Sequence, residues 1–278
     1  MSARDTLFRR YGRNRAALAG IATLAGIAIA AAIGPEIYGV DPFDMLGRPA
    51  MPPFGRFPLG TDVSGRDILA GLLHGARVSL LIGIAASLAA TMIGLVVGAC
   101  AGYVGGWIDF VLMRMTDFFL TIPSFVLAVL IVAIFQPSVL TITLAIAAVS
   151  WPSVARLARA EFISQKNRDY VEACRAMGMG GAEIMFRQIL PNAIPPVVVI
   201  ASLTVATAIL TEAGLSFLGL GDPNIVSWGY MIGVGRTVLR TAWWMSAIPG
   251  VTILITVLAI NLAGEGLNEA LNPRMRQR

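Results

Sequence analysis

Six long stretches of apolar residues divide this sequence, and each is too long to be a strand of a globular protein. The first, Ala16–Ile33, contains eighteen residues, which form about 27 Å of helix and cross most of a bilayer's hydrocarbon core. Hydrophobic residues make up 56% of the chain and charged residues 13%, roughly half the usual charged share. The sequence therefore predicts an all-α membrane protein with six transmembrane helices. The further spans are predicted at Val78–Gly102, Phe110–Phe135, Val139–Val154, Ile194–Leu218 and Met245–Ala263.

The first apolar stretch follows basic residues, as the apolar region of a signal peptide also does. No small-residue cleavage site is evident after it, and Pro35 and Glu36 follow directly. We therefore expect the segment to remain in the protein as a transmembrane helix.

Arginine is concentrated at both ends of the chain and in the loop 156–191. Basic residues favour the cytoplasmic side of a membrane, so both termini and this loop are predicted to be cytoplasmic. An even number of spans agrees with that orientation. The same distribution explains the net charge of +5 without nucleic-acid binding. The terminal arginines are Arg4, Arg9, Arg10, Arg13, Arg15, Arg274, Arg276 and Arg278.

The tryptophans give an independent indication of where the spans end. All five fall near predicted ends, where an amphipathic ring favours the boundary between lipid and water. We therefore expect all five rings at that boundary. They belong to Trp107, Trp151, Trp228, Trp243 and Trp244.

The loop 156–191 contains a charged segment, Tyr170–Asn192, with the pattern of two short helices separated by glycines. The glycines supply the backbone freedom for a sharp reversal. Glu183 precedes Arg187 by four residues, the favourable order for a helical ion pair, and Pro191 is predicted to end the second helix. Such a protruding plug suits insertion into a groove of a partner. The glycines are Gly178, Gly180 and Gly181.

This segment resembles the cytoplasmic loop of the permease subunits of bacterial ABC importers. That loop reads Glu-Ala-Ala, three residues, Gly, nine residues, Ile, one residue and Leu-Pro. Cys174 replaces the second Ala here, and Gln188 replaces the Ile. The resemblance implies that the segment couples the spans to separate ATPase subunits. The coupling positions, with the acidic member of the helical ion pair included, are Glu172, Ala173, Gly178, Glu183, Leu190 and Pro191.

The outer segment, 34–76, carries a second motif, GTDVSGRD. Ser64 and Asp67 fit a capping box, and the apolar face of Ile68–Ala76 predicts a short amphipathic helix at the outer interface. The motif resembles the signature of C-type subunits of the dipeptide, oligopeptide and nickel permease family, and Glu212–Gly229 is a second block similar to that family. The signature positions are Gly60, Thr61, Asp62, Gly65, Arg66 and Asp67.

Glycine and proline predict how two of the spans pack. Gly94, Gly98 and Gly102 recur every four residues, which lets a neighbouring helix approach closely. We expect that neighbour to belong to this chain, with a contact to another subunit as the alternative. Pro123 interrupts the third span and is predicted to kink it.

Polar residues inside spans are costly, so they are candidates for the substrate pathway. Glu212 lies in the last third of the fifth span, either as a pathway residue or as an anchor at the outer end. Asp117 lies in the first third of the third span, where Arg114 on the same helical face favours a local ion pair instead. Asn261 in the sixth span is predicted to line a pore or to bond a neighbouring helix.

The sequence offers almost no material for enzyme chemistry. The only histidine, His74, has no cysteine or carboxylate cluster at metal-ligand spacing. The only lysine, Lys166, lies outside any phosphate-binding loop. We therefore expect no catalysis, no metal and no cofactor on this chain.

The resemblance implies the type I ABC importer permease fold over residues 16–278, after a cytoplasmic segment, 1–15. It implies a multi-pass protein of a bacterial or archaeal cytoplasmic membrane that moves peptides by alternating access. The implied partners are a second, B-type permease subunit, two ATPase subunits that bind ATP and Mg²⁺, and an extracytoplasmic substrate-binding protein. Nickel or another small solute is the alternative substrate. Ion-coupled secondary transport and a membrane scaffold without transport are the alternative functions.

Overall fold

The structure is a computed structural model that describes residues 11–12 and 14–271. This part of the chain is helical, without a strand, and has two isolated β-bridges in the outer segment. Most of the predicted segment 1–15 and the arginines after residue 271 lie outside it. The helices are α1 (Arg15–Tyr38), α2 (Ile68–Val104), α3 (Gly106–Thr121), α4 (Ser124–Phe135), α5 (Val139–Lys166), α6 (Asp169–Ala176), α7 (Gly181–Leu220, with π-helical turns at Ile184–Ile189 and Ser216–Leu220), α8 (Trp228–Gly235) and α9 (Trp244–Leu271).

The described residues form six candidate membrane crossings, as predicted, when α3 and α4 are counted as one broken span. Helices α1, α2, α5, α7 and α9 are each long and apolar enough to cross a bilayer. The axes of α3 and α4 differ by 85°, so the predicted kink is a complete break. Ile122 and Pro123 have extended backbones at this point, and proline has no N–H with which to continue the helical hydrogen bonds.

The amphipathic helix predicted at Ile68–Ala76 is not a short one, because these residues form the first turns of the long helix α2. Asp67, and not Ser64, caps the helix, because its carboxylate accepts hydrogen bonds from the N–H groups of Leu69 and Ala70. No proline follows before the apolar span begins, and the helix continues to Val104. Helix α2 therefore begins at Ile68, before the stretch that hydropathy identifies.

Two of the five tryptophans do not lie where the sequence predicts. Trp228 is 1% exposed, and its indole N–H donates to the carbonyl oxygen of Leu72 at 3.0 Å. Trp151 is also buried and packs edge-on against Phe119, with ring centroids 5.4 Å apart. Both rings fill the interior of the bundle because neighbouring helices cover them, which proximity to a span end does not reveal.

The glycine stripe of α2 packs against α5 of the same chain, as expected. A β-carbon built on Gly94 would lie 2.6 Å from Val154, and one on Gly102 would lie 2.8 Å from Phe162. At Gly98 it would meet the carbonyl oxygen of Ala155. The missing side chains therefore let the two backbones approach closely, and this contact places α2 at the centre of the bundle.

Replacing Gly98 with valine is expected to lower the yield and melting temperature of the detergent-purified protein. The new side chain has no room beside α5, and overpacking of this kind costs about 1–3 kcal/mol. Gly26→Val is the matched control, because no atom lies within 4 Å of a β-carbon built there. Equal yields and melting temperatures for the two variants would contradict the close packing of α2 on α5.

Candidate functional site

The charged segment folds as α6, a tight turn and the start of α7, in agreement with its glycine pattern. Gly178 follows the end of α6 with a φ of +80°. Its N–H donates to the carbonyl oxygen of Arg175, and the N–H of Met179 donates to that of Cys174. These two bonds form a Schellman motif, which satisfies the last carbonyl groups of a helix. A β-carbon is strained at this φ, so the turn requires glycine.

The inner face of the segment is fixed to the ends of α2 and α5. The hydroxyl of Tyr103 donates to the carbonyl oxygen of Gly181, and the ammonium group of Lys166 donates to that of Tyr103, both at 2.6 Å. The hydroxyl of Tyr170 donates to Gln165 at 3.1 Å, and burial raises the pKa of Tyr170. An apolar cluster lies beneath these bonds. Its buried members are Ala99, Phe162, Val171, Cys174, Ile184, Ile189 and Ala193.

The face of Tyr170–Asn192 that does not contact α2 and α5 is exposed in this subunit. It combines charged with large apolar side chains. Met177 is 72% exposed and Phe186 is 60% exposed. The guanidinium of Arg187 lies 2.8 Å from the carboxylate of Glu183, which is the predicted ion pair. Sequence reasoning missed the two apolar residues, although large apolar side chains in a charged segment that spans no membrane are a usable signal. This face therefore offers both apolar and charged groups for contact with a partner.

The remaining predicted coupling residues lie on both helices. Glu172 and Ala173 are exposed on α6, and Pro191 is exposed on α7 beside the half-buried Leu190. The prediction that Pro191 ends the second helix is wrong, because α7 continues through it. A π-helical turn, Ile184–Ile189, precedes the proline. Its wider hydrogen-bond register accommodates a residue that lacks an N–H.

The GTDVSGRD motif holds the outer segment in shape. Thr61 is fully buried, and its hydroxyl donates to the carbonyl oxygen of Arg48 at 2.6 Å while accepting a backbone N–H at 2.9 Å. The carboxylate of Asp62 accepts two backbone N–H groups of the following turn at 2.7 and 2.9 Å. Gly60 and Gly65 have φ values of +82° and +81° and lie against neighbouring backbone. The signature is thus a folding element of this segment.

The last two signature residues connect the outer segment to other helices. Asp67 accepts a hydrogen bond from the hydroxyl of Tyr38 on α1 at 2.5 Å. Arg66 donates to the hydroxyl of Tyr230 on α8 at 3.1 Å, and its guanidinium lies over the ring of Phe43. The motif therefore fixes the relative positions of α1, α2 and α8.

Glu212 is 1% exposed, so it is not an anchor at the lipid–water interface. Its carboxylate accepts hydrogen bonds from Ser227 at 2.7 Å, Ser216 at 2.8 Å and Ser79 at 3.4 Å. The hydroxyl of Ser79 also accepts the backbone N–H of Trp228 at 3.2 Å. This buried carboxylate thereby joins α2, α7 and α8. A role of Glu212 in the pathway stays a prediction.

The other two pathway candidates lie on different elements and share no contact with Glu212. Asp117 pairs with Arg156 of α5 at 2.6 Å, so the predicted pair with Arg114 is wrong. The guanidinium of Arg114 lies over the ring of Phe110, 5.5 Å from its centroid. Asn261 is exposed on α9. The three candidates therefore do not form one site within this subunit.

Comparison with known proteins identifies a family for most of the chain. Residues 90–277 match the model of the family described as binding-protein-dependent transport system inner membrane component. The di/tripeptide transport system permease protein DppC of Pseudomonas aeruginosa is 41% identical over 97% of this chain and 91% of its own length. The dipeptide transport system permease protein DppC of Escherichia coli K12 is 42% identical over 96% of this chain and 92% of its own length.

Solved structures share the fold at lower sequence identity. An inward-facing structure of the methionine ABC transporter MetNI aligns with a TM-score of 0.63 and 20% identity, covering 73% of this chain and 96% of that one. An amino acid ABC transporter aligns with a TM-score of 0.56 and 19% identity, covering 70% of this chain and 91% of that one. At these identities the alignments support the type I permease fold alone.

Proposed function

This chain belongs to the family of binding-protein-dependent transport system inner membrane components, and from that premise we propose that it is a permease subunit of an ABC importer for peptides. The relatives that match it over nearly their whole length are named as di- and tripeptide permeases. The six candidate membrane crossings and the type I fold agree with this role. Peptides are therefore the proposed substrate, ahead of nickel or another small solute.

The coupling segment Tyr170–Asn192 is the observation on which the proposed mechanism depends. A plug transmits motion only if it is rigid, and the Schellman turn fixes the two helices of this one to each other. The hydroxyl of Tyr103 bonds it to α2, and the hydroxyl of Tyr170 bonds it to Gln165 at the end of α5. Its exposed residues, with Met177 and Phe186 among them, are proposed to dock in an ATPase subunit. Closure of the ATPase dimer on ATP then moves α2 and α5 and opens the route alternately to the two sides.

The remaining subunits complete the proposed transporter. A second, B-type permease encloses the route together with this chain, and two ATPase subunits bind ATP and Mg²⁺ at the cytoplasmic face. An extracytoplasmic binding protein delivers the peptide to the outer segment. The arrangement places both termini of this chain in the cytoplasm of a bacterium or archaeon, in accord with the distribution of arginine.

Uptake of a radiolabelled dipeptide tests this function directly. Deleting the gene for this chain is expected to remove binding-protein-dependent uptake, and a plasmid copy is expected to restore it, because no other subunit supplies this half of the route. Uptake of Ni²⁺ in the same strains is the control for substrate class. Unchanged dipeptide uptake after deletion contradicts the proposal, and loss of Ni²⁺ uptake alone supports the alternative substrate. Uptake by this chain reconstituted alone supports an ion-coupled transporter.

A further inference from the structure

One face of α9 carries exposed polar side chains in the C-terminal half of the helix. Asn261, Glu265 and Asn268 follow one another at spacings of four and three residues and are all exposed. Residues at these spacings lie on one side of a helix. Within residues 11–12 and 14–271, Asn261 has no hydrogen-bond partner for its side-chain amide. Its donors and acceptor are therefore available to a group outside this subunit.

The contacts of α9 with α1 show how deep this face lies. Gly266 packs against Ala17, which is two residues beyond the start of α1, and Gly20 packs against Ala259 one turn further in. Asn261 precedes Gly266 by five residues, which is about 8 Å along a helix. The amide of Asn261 thus lies inside the hydrocarbon zone and not among the lipid head groups.

The same contacts show which way the face points. Helix α1 occupies the side of α9 that contains Ala259, whereas Ser202 of α7 packs against Gly264. At about 100° per residue, Asn261 lies about 60° from Gly264 and about 160° from Ala259 around the axis. Asn261 therefore faces away from α1, beside the exposed edge of α7.

Contact with lipid does not suit this face. An amide without a hydrogen-bond partner in hydrocarbon costs several kcal/mol. The exposed stripe of α2 is apolar, with Leu81, Ile84, Leu88 and Met92. Thr207, which is exposed on α7, satisfies its own hydroxyl by donating to a backbone oxygen of the same helix at 3.0 Å. Asn261 has no such bond, so its surroundings in the membrane must supply polar partners.

We propose that this face of α9 lines the water-filled substrate route and that Asn261 binds the backbone of the passing peptide. The inference rests on the proposed peptide-import function. A carboxamide has both donors and an acceptor, which match the C=O and N–H groups of a peptide bond. That chemistry recognises peptides independently of their side chains. Leu254 and Leu258, further out on the same face, give apolar surface for peptide side chains.

Thiol accessibility in the assembled transporter tests where the face lies. Cys100 and Cys174 are first replaced with alanine, and Asn261→Cys is compared with Leu88→Cys, a control on the apolar stripe of α2 that is 60% exposed in this subunit. Methanethiosulfonate ethylammonium reacts with the thiolate, which forms in water and not in lipid. Asn261→Cys is expected to react at least about tenfold faster than Leu88→Cys, because a difference of about 1.4 kcal/mol already gives that factor. Equal slow rates overturn the inference, as does a disulfide that joins the thiol of Asn261→Cys to a neighbouring permease in every state.

Dipeptide uptake provides the second measurement. Asn261→Leu keeps a side chain of similar size but removes the hydrogen bonds, and uptake is expected to fall about tenfold for loss of about 1.4 kcal/mol of binding, while Leu88→Ala keeps the wild-type rate. Unchanged uptake with Asn261→Leu contradicts peptide binding by this residue. Failure of the wild-type transporter to import dipeptides contradicts the proposed function instead, and the labelling rates still report whether the face is in water.

Discussion

Replacing Gly178 with valine is expected to abolish peptide uptake while the protein still inserts in the membrane. The residue has a φ of +80° in the Schellman turn that ends α6. A β-branched side chain at that φ is strained by about 1–3 kcal/mol. The strain is relieved if the turn opens, which displaces the docking residues of the coupling segment from the ends of α2 and α5. Uptake rate and ATPase activity of the purified complex are the two measurements, and we expect ATPase activity that no longer responds to the peptide-loaded binding protein.

Gly180 provides a matched control in the same turn. It has a φ of −66°, and no atom lies within 4 Å of a β-carbon built there, so Gly180→Ala is expected to transport at nearly the wild-type rate. Gly178→Asn is expected to retain more uptake than Gly178→Val, because asparagine tolerates the left-handed region best among residues with a β-carbon. Normal coupled uptake with Gly178→Val would show that the turn does not transmit the motion.

Local patterns in the sequence were sufficient for the coupling turn and for the number of spans. A glycine at a helix end, an ion pair between residues four apart and a long apolar run each depend only on neighbouring residues, so the sequence alone predicts them. The two predictions that failed also have physical reasons. Hydropathy detects only the part of a helix that lies in lipid, and it therefore missed the start of α2 at Ile68. Pro191 was misread because the preceding π-helical turn has no sequence signature of its own.

Contacts between distant residues were beyond sequence reasoning. Arg156, and not the nearby Arg114, pairs with Asp117, because α3 packs beside α5. Burial of Trp228 depends on α8 folding back onto α2. Of the three serines around Glu212, Ser79 is 133 residues away in the sequence. A polar residue in an apolar span identified Glu212 as unusual, but its partners became visible only in the folded chain.

Glu212→Ala is expected to destabilise the protein and to free α8 from the spans. Removing the carboxylate leaves the hydroxyls of Ser79, Ser216 and Ser227 without their acceptor. Each buried polar group without a partner costs about 1–3 kcal/mol, so we expect a loss of about 3 kcal/mol or more. The melting temperature in detergent and the dipeptide uptake rate should both fall. Glu212→Gln keeps the shape and one acceptor oxygen, and its effect is expected to be intermediate.

The reactivity of a cysteine at Val226 distinguishes release of α8 from general unfolding. Val226 is 5% exposed and lies next to Ser227. In a variant without Cys100 and Cys174, the thiol of Val226→Cys should be shielded as long as the carboxylate of Glu212 holds α8. We expect Glu212→Ala to expose this thiol at temperatures well below melting. Glu36→Gln is the control, because Glu36 is 77% exposed and a surface ion pair contributes about 0–1 kcal/mol. A shielded thiol and a wild-type melting temperature in Glu212→Ala would contradict this prediction. The packing of Trp228 would then be sufficient to hold α8 without the serines and their carboxylate.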